Sequence, residues 1–359
     1  MSDKTSRSEK PAETAKSPGH ILVVRFSAMG DVAMVVPVLR QVVKTYPRLK
    51  ITVLTRSFFA PLFKGIENVS VYPADLKGVH NGVRGLARLG KELRNLELNA
   101  VADLHDVIRS NVLKTIFYFY GIPVKQIDKG RSEKKALTRP DRKVFKPLKT
   151  THQRYADVFE QLGYPIELDD VSFPAKQEIS TGVREILGKA PQKWLGIAPF
   201  AQHSSKMYPL DLMEELLQKL QKELKLKILL FGGGKAEKEI LEHWEQTFPD
   251  TLCVAGKMSF EEELGVISNL DAMLSMDSGN AHLAALYGIP VVTLWGVTHP
   301  HAGFKAFKQP LENCLLPDLQ KYDQIPTSIY GNKYPEGYEE VMRSIPPERV
   351  FEKLREVLE

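Results

Sequence analysis

Short runs of Val, Ile and Leu alternate with helix-like patterns along most of the chain, and this alternation limits the possible folds more than any other feature. In the first half, strands are predicted at residues 20–26, 51–55, 69–72 and 100–104. In the second half, strands are predicted at residues 194–198, 227–231, 252–254, 272–275 and 290–294. Strands that alternate with helices pair in parallel sheets. We therefore predict an α/β protein.

A polar, proline-containing stretch around residues 165–192 separates the two sets of strands, and we place the hinge between two domains there. The chain of 359 residues is long enough for two domains with separate cores. We expect one domain over residues 20–170 and a second over 171–336. Parallel sheets bind ligands at the carboxyl ends of their strands, so a cleft between the domains is the expected site.

Composition narrows the functional classes. With 49 Lys and Arg against 44 Asp and Glu, the net charge of +5 is too small to indicate nucleic-acid binding. Two cysteines cannot form a disulfide framework or a four-cysteine zinc site, so we expect a cytoplasmic protein. No run of about twenty apolar residues occurs, so any membrane contact is expected to be peripheral. Residues 1–19 are polar and predict a disordered tail.

The basic residues are concentrated in one segment. Residues 125–150 contain ten Lys and Arg against three Asp and Glu, and they show no apolar periodicity. We expect an exposed loop there. The segment is either a solvated linker or a surface that attracts an anionic partner.

The first candidate site follows the first predicted strand, where Arg25-Phe26-Ser27-Ala28-Met29-Gly30 leads into Asp31 and an amphipathic helix. Asp31 has two possible roles. It is a favoured residue type for capping a helix N-terminus. It also follows a strand and faces the expected cleft, where a carboxylate can act as a general base. Pro37 predicts a kink, or a helix that becomes regular near that point.

Three further candidate segments follow strands of the second half. Asp277-Ser278-Gly279 begins a helix that carries His282, and backbone N–H groups at such a helix start can bind phosphate. Lys206 lies in a polar loop, where it is either a solvated side chain or a phosphate ligand. Glu237 follows a triple glycine, so it binds a ribose or stabilises a helix N-terminus. The glycines match neither the dinucleotide-binding nor the Walker A pattern.

In this order and on these elements, the segments resemble glycosyltransferase family 9, the bacterial ADP-heptose:lipopolysaccharide heptosyltransferases. The most specific matches are S-A-M-G-D-V…P-V-L-R near the start and D-S-G-N-A-H-L-A-A-L-Y-G-I-P-V-V-T-L-W-G-V-T-H-P near the end. The resemblance implies a GT-B architecture, in which two Rossmann-like domains face each other across a cleft. It also implies that the helix within residues 337–359 packs back on the first domain.

The resemblance further implies a metal-independent, inverting transfer of heptose from ADP-heptose to a lipopolysaccharide core or related lipid-linked saccharide. Asp31 matches the proposed catalytic base. The donor-binding residues implied are Lys206, Glu237, Asp277, Ser278, Gly279 and His282. For the anionic acceptor, held in the first domain, we expect contacts from Arg25, Lys134, Lys135 and Arg139. No cofactor and no nucleic-acid partner are expected, and the protein is expected at the cytoplasmic face of the inner membrane.

Three other functions remain open. A nucleotide-sugar epimerase on the same architecture needs no acceptor site, and a transferase on this fold can use another nucleotide sugar. A non-catalytic sugar- or lipid-binding module tolerates loss of Asp31. A nicotinamide dehydrogenase is disfavoured because the first turn lacks the G-x-G-x-x-G pattern.

Overall fold

The computed structural model describes residues 19–188 and 193–359, and its first domain is built on a five-stranded parallel sheet. The strands are β1 (His20–Val24), β2 (Lys50–Thr55), β3 (Val69–Pro73), β4 (Ala100–Asp103) and β5 (Val124–Gln126). Their spatial order is β3-β2-β1-β4-β5. The strand order therefore reverses between β1 and β4, which places a ligand crevice at their carboxyl ends.

The described part of the first domain contains six α-helices. They are α1 (Met29–Ala33), α2 (Val35–Thr45), α3 (Gly82–Arg94), α4 (Ile108–Phe119), α5 (Arg131–Thr138) and α6 (Thr151–Gln161). Alternate side chains of β1 point to opposite faces. Ile21 and Val23 pack with α2 and α6 in one core, and Leu22 and Val24 pack with α3 and α4 in another.

The helix after β1 is interrupted, as Pro37 predicts. It begins at Met29, two residues before the expected start at Asp31, and the interruption between α1 and α2 falls at Met34. Pro37 is the third residue of α2. The first N–H groups of a helix have no acceptor within it, so the missing N–H of proline costs little there.

The second domain has a six-stranded parallel sheet. Its strands are β6 (Lys193–Ala198), β7 (Leu226–Leu230), β8 (Thr251–Cys253), β9 (Ala272–Met276), β10 (Val291–Leu294) and β11 (Cys314–Leu315), in the spatial order β11-β10-β9-β6-β7-β8. Its helices are α7 (Thr181–Leu187), α8 (Leu210–Glu223), α9 (Lys235–Thr247), α10 (Phe260–Ile267), α11 (Gly279–Ala285) and α12 (Pro347–Leu358). The α/β prediction and the nine predicted strands are confirmed.

The expected position of the last helix is wrong. Instead of packing on the first domain, α12 packs against α8 and β9 of the second. Val350, Phe351 and Leu354 are buried in the same core as the apolar side chains of α8. One apolar stripe on α12 therefore covers the apolar stripe of α8. The Lys219 ammonium of α8 adds a cation–π contact, because it lies 4.7 Å from the centroid of the Phe351 ring.

The prediction of an exposed loop over residues 125–150 is wrong about the loop, although most of the segment is exposed. The segment contains most of β5 and all of α5. Its later part packs on the second domain, because Leu137 and Leu148 are buried against Ala302 and the Leu148 N–H donates to the His301 carbonyl at 2.9 Å. The basic residues of this segment are thus carried on an ordered bridge between the domains.

The two domains also contact each other outside this bridge. Phe58, after β2, stacks on Phe260 of α10 with ring centroids 4.6 Å apart, and Lys64 pairs with Glu261. The start of α1 touches α11, as described below. The division at residue 170 stays a prediction, and residues 1–18 of the predicted tail lie outside the described residues. No helix in the described part of the chain is long and apolar enough to cross a membrane.

Candidate active site

Arg25 and Asp31 form an ion pair at the carboxyl end of β1. The Arg25 Nη2 lies 2.6 Å from the Asp31 Oδ2, and the Arg25 Nη1 donates to the Leu104 carbonyl at 2.7 Å. Burial opposes the charge of Arg25, but the nearby oxygens of Tyr155 and Asp31 outweigh burial and raise its pKa. Arg25 therefore stays charged and holds the Asp31 carboxylate in one position.

Asp31 occupies the third position of α1 and is not its N-cap residue, which is Ala28, but its side chain bonds the backbone of the N-cap as in a capping box. Its Oδ2 accepts the Ala28 N–H at 3.3 Å, and its backbone carbonyl accepts the Tyr155 hydroxyl at 3.2 Å. The Asp31 side chain is 30% exposed, whereas that of Arg25 is 7% exposed. The carboxylate is thus anchored on one side and open to the cleft on the other.

Further basic groups surround Asp31. Burial, together with the charges of Arg25, Lys129 and Arg109, lowers the pKa of His105 to about 3, so this imidazole is neutral. Burial and the neighbouring Arg154 lower the pKa of Lys134 to about 8, while the charge of Asp31 opposes this shift. The Lys134 ammonium lies 4.3 Å from the ring centroid of Phe304 in the second domain.

A second ion pair lies across the cleft. The Lys206 Nζ is 2.8 Å from the Asp277 Oδ2, and the same oxygen accepts the Thr298 hydroxyl at 2.9 Å. These three residues come from the loops after β6, β9 and β10, which are neighbours in the sheet. The segment that includes Gly331 packs on Lys206, since a Cβ added at Gly331 would lie 2.5 Å from the lysine Cδ.

His282 of α11 connects the two halves of the site. The imidazole is buried, burial lowers its pKa, and its Nδ1 has no hydrogen-bond partner among the described residues. It is therefore a neutral group with an unused polar atom. A Cβ added at Gly30 would lie 2.8 Å from the His282 Cδ2, so the turn before Asp31 lies directly against this ring.

The remaining predicted donor residues lie around this centre. Ser278 is the N-cap of α11, and its hydroxyl is 3.1 Å from that of Ser275. Gly279 faces Met29, because a Cβ there would lie 2.5 Å from the methionine Cε. Glu237 accepts the Gly233 N–H at 2.8 Å in the glycine turn after β7, one strand away from the Lys206 loop.

The four predicted acceptor residues do not share one environment. Arg25 is buried beneath Asp31, and Lys134 is half-buried near it. Lys135 and Arg139 are exposed on and after α5. The structure thus brings Arg25 and Lys134 to the candidate base but leaves Lys135 and Arg139 on the surface.

Sequence reasoning missed several residues of the site. His105 and Lys129 follow β4 and β5, Tyr155 lies on α6, and Thr298 follows β10. His105 and Thr298 carried a usable signal, because each is a polar residue just after a predicted strand, whereas Lys129 follows β5, which the sequence did not predict. Tyr155 carried none, because a tyrosine in an amphipathic helix is ordinary core. In residues 19–188 and 193–359, no cluster of three or more His, Cys, Asp and Glu is placed to hold a metal ion.

Two Rossmann-like domains whose strand ends face each other, with a carboxylate on one side and a Lys–Asp pair with a histidine on the other, define a glycosyltransferase of the GT-B class. Residues 86–330 match the model of glycosyltransferase family 9 (heptosyltransferase). The match spans more than half of the chain, so the chain belongs to this family and is a glycosyltransferase. The predicted family and architecture are confirmed.

Relatives extend this similarity over most of the chain. This chain is 25% identical over 307 residues to the lipopolysaccharide core heptosyltransferase OpsX of Haemophilus influenzae, and the match covers 79% of this chain and 81% of that protein. It is 29% identical over 365 residues to lipooligosaccharide heptosyltransferase 2 of the same organism, covering 94% and 99%. The structure of the E. coli ADP-heptose lps heptosyltransferase II has the same fold, with a TM-score of 0.67 at 19% identity, covering 94% and 98%.

Proposed function

We propose that this glycosyltransferase moves a heptose from ADP-heptose to the core saccharide of lipopolysaccharide or a related lipid-linked saccharide, with inversion at the anomeric carbon. The observation that carries the proposal is the placement of Asp31 across the Gly30–His282 contact from the Lys206–Asp277 pair. This arrangement supports a base and a phosphate-binding cation on opposite sides of one cleft. The relatives' names, which describe heptose transfer to lipopolysaccharide, supply the sugar and the acceptor class.

In the proposed reaction Asp31 removes the proton from the acceptor hydroxyl as its oxygen attacks the anomeric carbon. A general base must lie within hydrogen-bond reach of that proton. Arg25 fixes one carboxylate oxygen, so the exposed part of the carboxylate faces the cleft. Attack from the first domain, opposite the bound nucleotide, inverts the anomeric configuration.

The second domain stabilises the leaving diphosphate. Negative charge develops on the oxygen that departs from the sugar, and fixed donors lower the free energy of that state. Lys206 provides a cation. The neutral His282 ring provides a nitrogen, Nδ1, that has no hydrogen-bond partner among the described residues. Before the donor binds, the ion pair with Asp277 holds the Lys206 ammonium in place. When the donor binds, its diphosphate competes with Asp277 for this ammonium. Ser278 and Gly279 border this position, and Glu237 is proposed to contact the ribose.

The acceptor is proposed to bind on the first domain beside Asp31. Its phosphate or carboxylate groups meet Lys134 and Lys129, whose ammonium groups are both in the field of Asp31. Lys135 and Arg139 extend this positive charge along α5. We place the protein at the cytoplasmic face of the inner membrane, as a peripheral protein, because that is where a lipid-linked acceptor and a nucleotide sugar meet.

Release of ADP in the presence of a deacylated core saccharide tests the function. The purified protein is incubated with ADP-heptose, with and without the acceptor, and both ADP and the glycosylated product are measured. Acceptor-dependent release of ADP supports the proposal. Conversion of the donor without an acceptor indicates an epimerase, and transfer from a different nucleotide sugar, such as a UDP-hexose, corrects the donor.

A further inference from the structure

The outward sides of α3 and α4 form one surface, here called the α3–α4 face, made of Val83, Arg84, Lys91, Arg94, Ile108, Tyr118 and Phe119. The two helices pack closely side by side, because a Cβ added at Gly90 of α3 would lie 2.7 Å from the Ile116 Cγ2 of α4. Both helices cover the same side of the first sheet. Their outward side chains therefore lie on one continuous surface.

This face carries an unusual concentration of exposed apolar side chains. Ile108, Phe119, Tyr118 and Val83 are 84%, 78%, 77% and 70% exposed. They are the four most exposed large hydrophobic side chains in the described part of the chain. Isolated surface apolar residues are common, but a group on two neighbouring helices indicates an interaction surface.

The apolar side chains of α4 are aligned along the helix. Ile108 and Phe119 are eleven residues apart, close to three full helical turns, so they lie on one line, with the half-buried Val112 between them. The opposite side of α4 is also apolar, since Leu113 and Phe117 are buried in the core. The outward stripe is thus not needed for folding. It runs along the helix axis, which suits contact with a flat surface.

The charge of this face indicates which kind of partner it binds. The face itself carries three cations, Arg84, Lys91 and Arg94, whereas the one acidic residue of the two helices is Glu92. Glu92 is already bonded to Tyr72 and Arg88. A flat partner that accepts apolar and aromatic side chains next to these three cations is the interface of an anionic bilayer.

We propose that the α3–α4 face binds the surface of an anionic lipid bilayer, with α4 lying in the interfacial plane. Both helices start at the carboxyl edge of the first sheet, so the bilayer would lie beside the mouth of the cleft. Arg109, in the first turn of α4, is near enough to His105 to lower its pKa. The inference rests on the proposed function in one respect. The lipid-linked acceptor of that function explains why the site opens next to a membrane.

Vesicle flotation of the full chain tests this assignment. Vesicles of phosphatidylcholine alone are compared with vesicles in which about a third of the lipid is phosphatidylglycerol. We expect the wild-type protein to bind the anionic vesicles. Two double variants, Ile108→Ser with Phe119→Ser and Arg84→Glu with Lys91→Glu, should each bind them at least about tenfold more weakly.

The matched controls lie on the second domain. Leu311→Ser removes an apolar side chain that is 50% exposed, and Lys222→Glu with Lys225→Glu makes the same charge change as the basic double variant. Both controls should bind like the wild type. In addition, Phe119→Trp should show fluorescence that is quenched by lipids brominated in their acyl chains.

Two outcomes overturn the proposal. One is unchanged vesicle binding by both α3–α4 variants, and the other is equal loss of binding by the controls. Heptose transfer to the deacylated acceptor is measured on the same samples, and we expect all variants to retain wild-type turnover. Absence of transfer by the wild type overturns the proposed function instead, while the flotation result still decides the lipid surface.

Discussion

Gly30 and His282 touch across the cleft: a Cβ added to the glycine would lie 2.8 Å from the imidazole Cδ2. The turn that leads into the candidate base therefore packs directly on the ring proposed to meet the donor phosphates. His282 is buried, so its ring has little room to move away. The relative position of the two half-sites depends on the absence of a side chain at position 30.

Gly30→Ala should therefore damage catalysis more than folding. Overpacking of this kind typically costs about 1–3 kcal/mol of stability. A displacement of the base by a fraction of an ångström should lower kcat by at least about tenfold, because reacting groups must stay aligned. Steady-state kinetics and thermal unfolding measure the two effects. The control is Gly182→Ala on α7, where an added Cβ has no neighbour within 4 Å. A kcat equal to that of the wild type would remove the contact from the mechanism.

Asp31→Asn should lower kcat by about 10²–10⁴-fold, the usual effect of losing a general base. The amide retains an oxygen for the Ala28 N–H and for Arg25, so the variant separates catalysis from structure. Asp31→Ala is less informative because it leaves the buried Arg25 charge without its partner. ADP affinity, measured by calorimetry, should be unchanged.

The matched control for Asp31 is Asp211→Asn. Asp211 also lies in the first turn of a helix and also pairs with an arginine, Arg343, at 2.7 Å, but on the surface of the second domain. This control should keep wild-type turnover. If Asp31→Asn and Asp211→Asn have the same kinetics, Asp31 has only a structural role in its helix.

Most of the fold was predictable because the strands of a two-sided parallel sheet are continuous apolar runs. Ile21 to Val24 of β1 is such a run, and every residue in it is buried. Strand β5 has only three residues, none fully buried, so it gives no comparable signal. Helix α5 escaped detection because Leu137 is its only buried residue.

Contacts between distant elements were not predictable. The stripe on α12 shows that Val350 and Leu354 are buried, but it does not show that α8 is the partner. In the site, Asp31 and Lys206 were found because each follows a predicted strand. The pairing of Arg25 with Asp31 and of Lys206 with Asp277 depends on side-chain directions, which strand patterns do not contain.

Lys206→Ala should weaken ADP binding by about 10- to 150-fold, which corresponds to the 1.5–3 kcal/mol of a hydrogen bond to a charged group. The Lys206 side chain is only 14% exposed, so bulk solvent screens this contact little. Titration calorimetry with ADP measures the loss. Lys222→Ala removes an exposed lysine of α8 and should leave ADP affinity unchanged. Equal ADP affinity in the wild type and Lys206→Ala would place the diphosphate elsewhere.

Lys134 should make acceptor binding sensitive to pH. Burial and Arg154 hold the pKa of this lysine at about 8, below its ordinary value of 10.5. The ammonium is charged below this pKa and neutral above it, so the proposed attraction for an anionic acceptor is present at pH 7 and lost towards pH 9. We expect the KM for the acceptor to rise about tenfold over that range, while the KM for ADP-heptose stays flat. Lys134→Arg keeps its charge throughout and should remove the rise, and Lys134→Met should show a high KM at every pH. If the wild type and Lys134→Met share one pH profile, the acceptor's anionic group does not bind at Lys134.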